Sequence, residues 1–332
     1  MQVVQEGSAD FDVLEGRKGK YAPHLRVQAL SEPEIERTIP GAQTRFWLHP
    51  RPDSAKINVV PGVDFSKVRN HESVKRALEI TAAGGHHALV VGPSHADFSM
   101  FPNMLLSIIP LAKEGGATRI PSLVSACPTG SGPQLLAEAN IGHHGVLFLD
   151  DLSKFKRSAL EPLCTRLTEG SKFILVASFT GCPCGRYGTK DCRCSPLQIQ
   201  RHQARVIGPL LDSADIHIDV PASSRSNGES SIECSDDVRA KVDVARAVQR
   251  GRAGKLNARL RPEELRIHCK LDADKNDWLK MVVNELGIAE RAHNPILRVA
   301  RTVGDLDASI GIETRHLAEA IQYRVLDRQL SG

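Results

Sequence analysis

Short apolar runs alternate with helical patterns over residues 61–225 of this 332-residue chain. The continuous apolar runs Ala88–Val91, Val146–Leu149 and Phe173–Ser178 are typical of strands buried on both faces of a parallel sheet. Ile216–Val220 alternates between apolar and polar residues, which predicts a further strand. Because helical patterns separate these runs, the segment is expected to fold as βαβ units around a parallel sheet.

The pattern changes to a purely helical one from Asp236 onward. Five helices are predicted there: Asp236–Arg250, Arg261–His268, Lys275–Leu286, Pro295–Leu306 and Glu313–Leu330. Two more are predicted earlier, His71–Ala83 before Gly84-Gly85, and Phe101–Ala112. An α/β core is therefore expected to precede an all-helical domain.

Residues 1–60 show little apolar periodicity and carry scattered prolines, so an N-terminal extension is predicted that is partly disordered or draped on the body. The polar segment Ser223–Ser231 is interpreted as a linker. The expected domains are thus the extension 1–60, the α/β core 61–225 and the helical domain 232–332.

Composition narrows the class of protein only slightly. With 41% apolar and 25% charged residues the chain is typical of a soluble globular protein, and a net charge of +4 does not by itself argue for nucleic acid. No signal-peptide pattern and no apolar run of about 18 residues is present, so we predict a cytoplasmic protein without a membrane partner. In that compartment the eight cysteines favour thiols or a metal site over disulfides.

The segment that follows Ala88–Val91 has the setting of a phosphate-binding loop, with a strand before it and a helix after it. Such a loop reads G-x-x-x-x-G-K-[ST] and holds phosphates with backbone N–H groups and the lysine. Gly92 and Ser99 keep the first and last positions, but Asp97 stands at the second glycine and Phe98 at the lysine. The loop is interpreted as a nucleotide site that has lost the residues that bind phosphate. A surface loop that binds no ligand is the alternative.

Four cysteines lie within thirteen residues, as Cys182-x-Cys184 followed by Cys192-x-Cys194. Four thiolates suit the tetrahedral coordination of Zn²⁺, although the C-x-C spacing is tighter than the common C-x₂-C. A structural zinc site is predicted, with free thiols or a labile disulfide as the alternative.

A series of ordered motifs resembles the magnesium-chelatase-like AAA+ ATPases of the ComM/YifB type. In chain order the motifs are Lys75–Ile80, Ala82–His86, Gly145–Leu152, Cys182–Gly185, Cys192–Pro196, Gly208–Asp212, Leu256–Leu260, Val299–Thr302 and Tyr323–Arg328. The resemblance implies an AAA+ fold, in which a P-loop NTPase-like parallel sheet core is followed by an all-helical lid domain, with ATP and Mg²⁺ as the family's cofactors. We expect no counterpart of the family's N-terminal Lon-like domain, because only about 60 residues precede the match.

The resemblance also implies roles for single residues. Asp150 matches the Walker B aspartate that holds Mg²⁺, and Asp151 stands where the family has its catalytic glutamate. Thr180 stands at sensor 1 and Arg291 matches the sensor 2 arginine, whereas Ser213 replaces the arginine finger. The alternatives are that the two aspartates only cap a strand end and that Arg291 is a solvated helix-start residue.

These replacements predict a degenerate family member, impaired in ATP binding and hydrolysis, that acts through protein interaction or regulation in a hetero-oligomeric ring of AAA+ relatives. A slow but active ATP-dependent motor, in DNA recombination, transformation or metal-chelatase-type remodelling, is the second hypothesis. A DNA-binding accessory is a third, and it requires a contiguous basic surface. The scattered arginines of the C-terminal helices fit a solvated helix face better.

Overall fold

The structure, a computed structural model, describes residues 56–58, 64–68, 71–114, 117–119, 121–126, 145–208, 210–221 and 233–330. All of them belong to one compact unit. The linker predicted at Ser223–Ser231 and the extension predicted at 1–60, apart from residues 56–58, lie outside the described residues. The predicted domain boundaries therefore stay predictions.

A parallel sheet forms the centre of this unit. The described strands are β1 (Lys56–Asn58), β2 (Ala88–Gly92), β3 (Ala112–Glu114), β4 (Ala117–Arg119), β5 (Leu123–Ser125), β6 (Val146–Leu149), β7 (Ile174–Thr180) and β8 (Ile216–Asp219). The sheet order is β1-β5-β6-β7-β2-β8, in which β1 pairs antiparallel with β5 and every other pair is parallel. β3 and β4 form a separate antiparallel pair.

Helices cover the sheet and make up all of the regular structure described after β8, apart from short 3-10 turns. The described α-helices are α1 (Glu72–Gly84), α2 (Met100–Ile108), α3 (Arg157–Gly170), α4 (Pro196–Ile207), α5 (Ser235–Ala253), α6 (Pro262–His268), α7 (Ala273–Glu285), α8 (His293–Leu306), α9 (Thr314–Gln322) and α10 (Val325–Leu330). The predicted fold class, a parallel α/β core followed by an all-helical part, is confirmed.

Both faces of the sheet are buried, as the continuous apolar runs predict. Val90 packs with the apolar side chains of α1, α2, α5 and α8, whereas its neighbours Leu89 and Val91 pack with those of α3 and α4. His86 ties the helical part to the sheet: its Nδ1 lies 2.7 Å from Asp215 Oδ2 and its Nε2 lies 2.8 Å from Thr302 Oγ1. The end of α1, the start of β8 and the middle of α8 are thereby held together.

The helix after the candidate phosphate loop is shorter than predicted. α2 ends at Ile108, whereas the sequence pattern predicted a helix to Ala112. Ile109 has an extended backbone (ψ 124°) because it precedes Pro110, whose ring disfavours the helical conformation of the residue before it.

The last predicted helix is divided into α9 and α10 at Tyr323 and Arg324. Arg324 is fully buried, and its guanidinium donates hydrogen bonds to Ala214 O (2.6 Å) and to Asp327 Oδ2 (2.6 Å). A buried arginine needs such partners, so the tertiary contact overrides the helical periodicity.

Candidate functional site

A cavity of about 340 Å³ lies at the carboxyl ends of β2, β6 and β7. This edge is where open parallel α/β sheets hold their ligands. Four of the predicted site residues line the cavity: Ser99, Asp150, Asp151 and Thr180. Gly92 ends β2 directly beside Thr180, its partner in the sheet.

The backbone of the loop 93–99 is hydrogen-bonded within the chain. Four of its N–H groups, those of Ser94, Ala96, Phe98 and Ser99, donate to Gly185 O, Pro93 O, Ala96 O and Asp97 Oδ1 at 2.7, 3.0, 3.0 and 3.1 Å. A phosphate-binding loop directs such N–H groups at the ligand instead. Pro93 has no N–H to donate, so most of the loop's donors are committed to the protein.

Phe98, at the position of the P-loop lysine, is part of the hydrophobic core. Its side chain is 8% exposed and its ring centre lies 6.5 Å from that of Phe101. A Cβ added to Gly92 would lie 3.3 Å from Cε1 of Phe98 and 3.1 Å from Cβ of Val220. The loop therefore packs tightly around an apolar ring at the position that a P-loop gives to its lysine.

Asp97 and Ser99 are hydrogen-bonded to each other. The Ser99 hydroxyl and the Ser99 N–H both donate to Asp97 Oδ1, at 2.6 and 3.1 Å. The hydroxyl that a P-loop offers to Mg²⁺ is thus engaged in a local turn.

The two aspartates predicted as a Walker B pair, Asp150 and Asp151, have different surroundings. Ser178 links them, since its hydroxyl donates to Asp150 Oδ1 (3.1 Å) and its Oγ accepts from the N–H of Asp151 (3.0 Å). Asp151 has a left-handed backbone (φ 58°) and its carboxylate accepts from the hydroxyl (2.6 Å) and N–H (3.2 Å) of Ser153. Asp151 therefore caps the short 3-10 helix that follows, and Asp150 remains the better placed carboxylate for a cation.

Lys154 also lines the cavity, although no motif in the sequence marks it. Its Nζ lies 3.4 Å from Asp151 Oδ2. Asp97, Asp150 and Asp151 line the same cavity, so three carboxylates face one ammonium. The charge of the lining is therefore unfavourable for a polyphosphate unless a metal ion accompanies it.

Thr180 and Arg291 are placed apart. Thr180 ends β7 at the cavity, and its carbonyl oxygen lies 3.0 Å from Nε2 of His202. The Arg291 guanidinium instead pairs with Asp212 (Nε to Oδ1, 3.0 Å) and lies 3.6 Å from Asp327 Oδ1. Arg291 is not among the described residues that line the cavity.

The four cysteines of the loop after β7 converge on one point. The Sγ atoms of Cys182, Cys184, Cys192 and Cys194 all lie within 4.8 Å of one another. The Sγ atoms of Cys182 and Cys184 are 3.3 Å apart, and each lies 3.8 Å from Sγ of Cys192. Tetrahedral ligands at a Zn–S distance of 2.3 Å lie about 3.8 Å apart, so the donor set fits a metal ion of this size.

The thiols of this cluster differ in acidity. The pKa of Cys184 is lowered to about 6, first because the backbone N–H of Arg186 donates to it and then because the Cys182 thiol does. Burial raises the pKa of Cys182 to about 12, and its hydrogen bonds to Cys184 and Cys192 add to the effect. A thiol that ionises below neutral pH, as Cys184 does, can give a metal ion its first anionic ligand.

Two family profiles match the chain. "Magnesium chelatase, subunit ChlI" matches residues 64–138 and 122–228, and "Magnesium chelatase, subunit ChlI C-terminal" matches residues 232–324. The uncharacterized protein YifB of Escherichia coli K12 is 34% identical over 313 residues, covering 80% of this chain and 61% of YifB. The competence protein ComM of Haemophilus influenzae is 33% identical over 312 residues, covering 81% of this chain and 61% of ComM. This chain belongs to the magnesium-chelatase-like family of the ComM/YifB type.

The resemblance predicted from the motifs is thereby confirmed. The chain spans 61% of the length of these curated relatives. Within this magnesium-chelatase-like chain both loops described above fall inside the residues that the first profile matches. Among the described residues, no helix combines the length and the apolar character needed to cross a bilayer.

Proposed function

We propose that this chain is a degenerate magnesium-chelatase-like AAA+ protein, impaired in ATP binding and hydrolysis, that acts through interaction with related AAA+ subunits. The observation that carries the proposal is the loop 93–99, whose N–H groups bond within the chain and whose lysine position holds the buried Phe98. The fold of an ATPase is kept, while the groups that would hold phosphate are replaced or occupied.

Electrostatics indicates how much affinity is lost. The charge-assisted hydrogen bond of a P-loop lysine contributes roughly 1.5–3 kcal/mol, and Phe98 makes none. A carboxylate ~5 Å from a phosphate charge repels it by about 3 kcal/mol at an effective dielectric constant of 20, and solvent reduces this for the exposed Asp97. Together these effects weaken nucleotide binding by roughly two to three powers of ten.

Hydrolysis is impaired by a second set of replacements. The Asp151 carboxylate is shorter than the family's glutamate and is engaged as a cap. Ser213 supplies no arginine finger, which in related phosphoryl-transfer enzymes is worth about a thousandfold or more. If the chain works in a hetero-oligomeric ring, related subunits with an intact lysine and arginine supply the active sites.

The second candidate is a slow but active ATP-dependent motor, in DNA recombination, transformation or metal-chelatase-type remodelling. The observation that favours it is the cavity itself, which still gathers Ser99, Asp150, Asp151 and Thr180 in a volume of about 340 Å³. ComM is named a competence protein, and DNA is the partner that this alternative requires.

Steady-state release of phosphate from Mg·ATP separates the two candidates, with the double variant Ser99→Ala/Asp150→Ala as the control. The degenerate protein is expected to show no turnover above the buffer blank. Turnover of about one per second that disappears in the double variant establishes the motor instead. Light scattering adds a second readout: particle size is expected to be the same with and without ATP, and an ATP-dependent hexamer of this chain alone contradicts the proposal.

We also propose that Cys182, Cys184, Cys192 and Cys194 hold one structural Zn²⁺. The convergence of four Sγ atoms in a loop with few apolar side chains supports this, because a metal orders what packing does not. Elemental analysis of protein purified without chelator is expected to give about one equivalent of zinc. Metal-free protein with four reactive thiols contradicts the assignment.

A further inference from the structure

The loop after β7, which carries the four cysteines, contacts the end of β2 and the loop 93–99 on both sides of the Cys182-x-Cys184 pair. Just before this pair, the N–H of Gly181 donates to Gly92 O at 3.0 Å. Just after it, Gly185 O accepts from the N–H of Ser94 at 2.7 Å. Two ligands of the metal cluster are therefore held between two hydrogen bonds to the end of β2 and the loop that follows.

The contact between Gly185 O and the Ser94 N–H depends on the backbone conformation of Gly185 and on its lack of a side chain. Its backbone is left-handed (φ 75°), and a Cβ added to it would lie 2.8 Å from Oγ and 3.2 Å from Cβ of Ser94. A side chain at this position would both strain the backbone and push the two loops apart. Glycine thus permits the close approach that brings Gly185 O to the Ser94 N–H.

The cluster holds the carbonyl of Gly185 in place. The N–H of Gly185 donates to Cys182 O at 3.1 Å, which closes a turn over residues 182–185. This turn contains Cys182 and Cys184 and sets the direction of the Gly185 carbonyl. Their Sγ atoms lie 3.3 Å apart, and Sγ of Cys192, from the far side of the loop, lies 3.8 Å from each. A metal ion bonded to these Sγ atoms would tie both ends of the loop together, so loss of the ion removes the bonds that hold the turn closed, and the turn is expected to spread.

We infer that metal occupancy of the four-cysteine cluster controls whether the Ser94 N–H, in the loop 93–99, is hydrogen-bonded within the chain or free to face the cavity. When the cluster is closed on a metal ion, Gly185 O binds the Ser94 N–H and keeps it from the cavity. When the cluster opens, this N–H is released toward the cavity. The inference rests on the zinc site proposed above, and it adds a regulatory role to a site that the family comparison leaves without one.

Amide hydrogen exchange of the full chain tests this inference, with zinc content measured on the same samples. The wild-type protein is compared with and without a zinc chelator, in the presence of a thiol reductant. Exchange at Ser94, followed in peptides that cover residues 89–99, is expected to rise by about five- to tenfold on metal removal, the factor that corresponds to one lost hydrogen bond. Exchange in α8 is expected to stay unchanged, which excludes global unfolding as the cause.

A pair of glycine variants separates the contact from the metal. Gly185→Ala is expected to keep its zinc and yet to show the fast Ser94 exchange of the chelated protein. Gly188→Ala is the matched control, because Gly188 has a similar left-handed backbone (φ 71°) in the same loop. It is expected to share the backbone strain without changing exchange at Ser94.

Two outcomes overturn the inference, and they are distinguishable. If zinc is bound but exchange at Ser94 is the same before and after chelation, the coupling is wrong and the zinc site stands. If the purified protein contains no zinc, both the zinc site and the inference fail.

Discussion

The loop after β2 and the loop after β7 lie side by side at one edge of the sheet, and they differ in whether their polar groups are directed at a common point. In the loop after β7, four Sγ atoms converge on a common centre within 4.8 Å. In the loop after β2, the groups at ligand positions bond to one another or to the protein, as Ser99 does to Asp97. The comparison teaches that ligand chemistry at strand ends is set by the direction of the donors, independently of the fold that carries them.

Phe98 also contributes to the packing of the fold. Phe98 adds an apolar ring to the core, where it packs near Phe101. A buried apolar side chain stabilises the folded state, whereas a lysine at that position would need a ligand or solvent for its charge. The proposed loss of phosphate binding at this loop is thus accompanied by a gain in apolar packing.

The largest expected effect is the loss of a cysteine ligand. Cys182→Ser removes the buried member of the cluster, and zinc content is expected to fall from about one equivalent to almost none. Loss of groups that merely orient a ligand already weakens metal binding about 10- to 100-fold, so loss of a ligand is expected to exceed this. Elemental analysis checks it, and Cys234→Ser, outside the cluster at the start of α5, is the control that keeps its metal.

A smaller effect is expected for the core residue of the other loop. Phe98→Ala is expected to lower the free energy of unfolding by about 3–5 kcal/mol, since the ring is buried. Phe98→Leu keeps most of the volume and is expected to cost less than about 1.5 kcal/mol. Urea unfolding measures both, and equal stability of all three proteins would show that Phe98 is not a core residue.

The thiols of the cluster allow a third, smaller test by pH. The pKa of Cys184 is lowered to about 6, so its thiol is protonated below this pH and becomes a thiolate as the pH rises through it. Alkylation of Cys184 in zinc-depleted, reduced protein is expected to increase about tenfold from pH 5 to pH 7. Cys182, whose pKa is raised to about 12, is expected to stay unreactive over that range. Mass spectrometry of the alkylated peptides distinguishes the two, and equal reactivity of both thiols contradicts the described surroundings.

Much of the fold follows from local patterns in the sequence. The predicted strand Val146–Leu149 has the same bounds as β6. All four of its residues are apolar and buried, so the ends of the apolar run coincide with the ends of the strand. Arg324 shows the limit: its contact with Ala214 breaks a helix that periodicity alone extends, and the two residues lie far apart in the chain.

The candidate site was predictable to a similar degree. The replacements at Asp97 and Phe98 and the four cysteines are visible in the sequence, because each occupies a fixed place in a motif. The pairing of Arg291 with Asp212 and the contact of Ser94 with Gly185 are not visible, because tertiary packing brings these residues together. No sequence motif marks Lys154, so its place in the lining of the cavity is visible only in the structure.

We propose that the loop 93–99 has lost most of its affinity for nucleotide while the fold around it persists. Calorimetric titration of Mg·ATP into the wild-type chain and into the variant Asp97→Gly/Phe98→Lys tests it most directly, with Phe98→Leu as a matched control. The account predicts that the wild type and Phe98→Leu bind Mg·ATP roughly 100- to 1,000-fold more weakly than the double variant, which is expected to show little turnover. Binding of Mg·ATP to the wild type at micromolar concentration would contradict it.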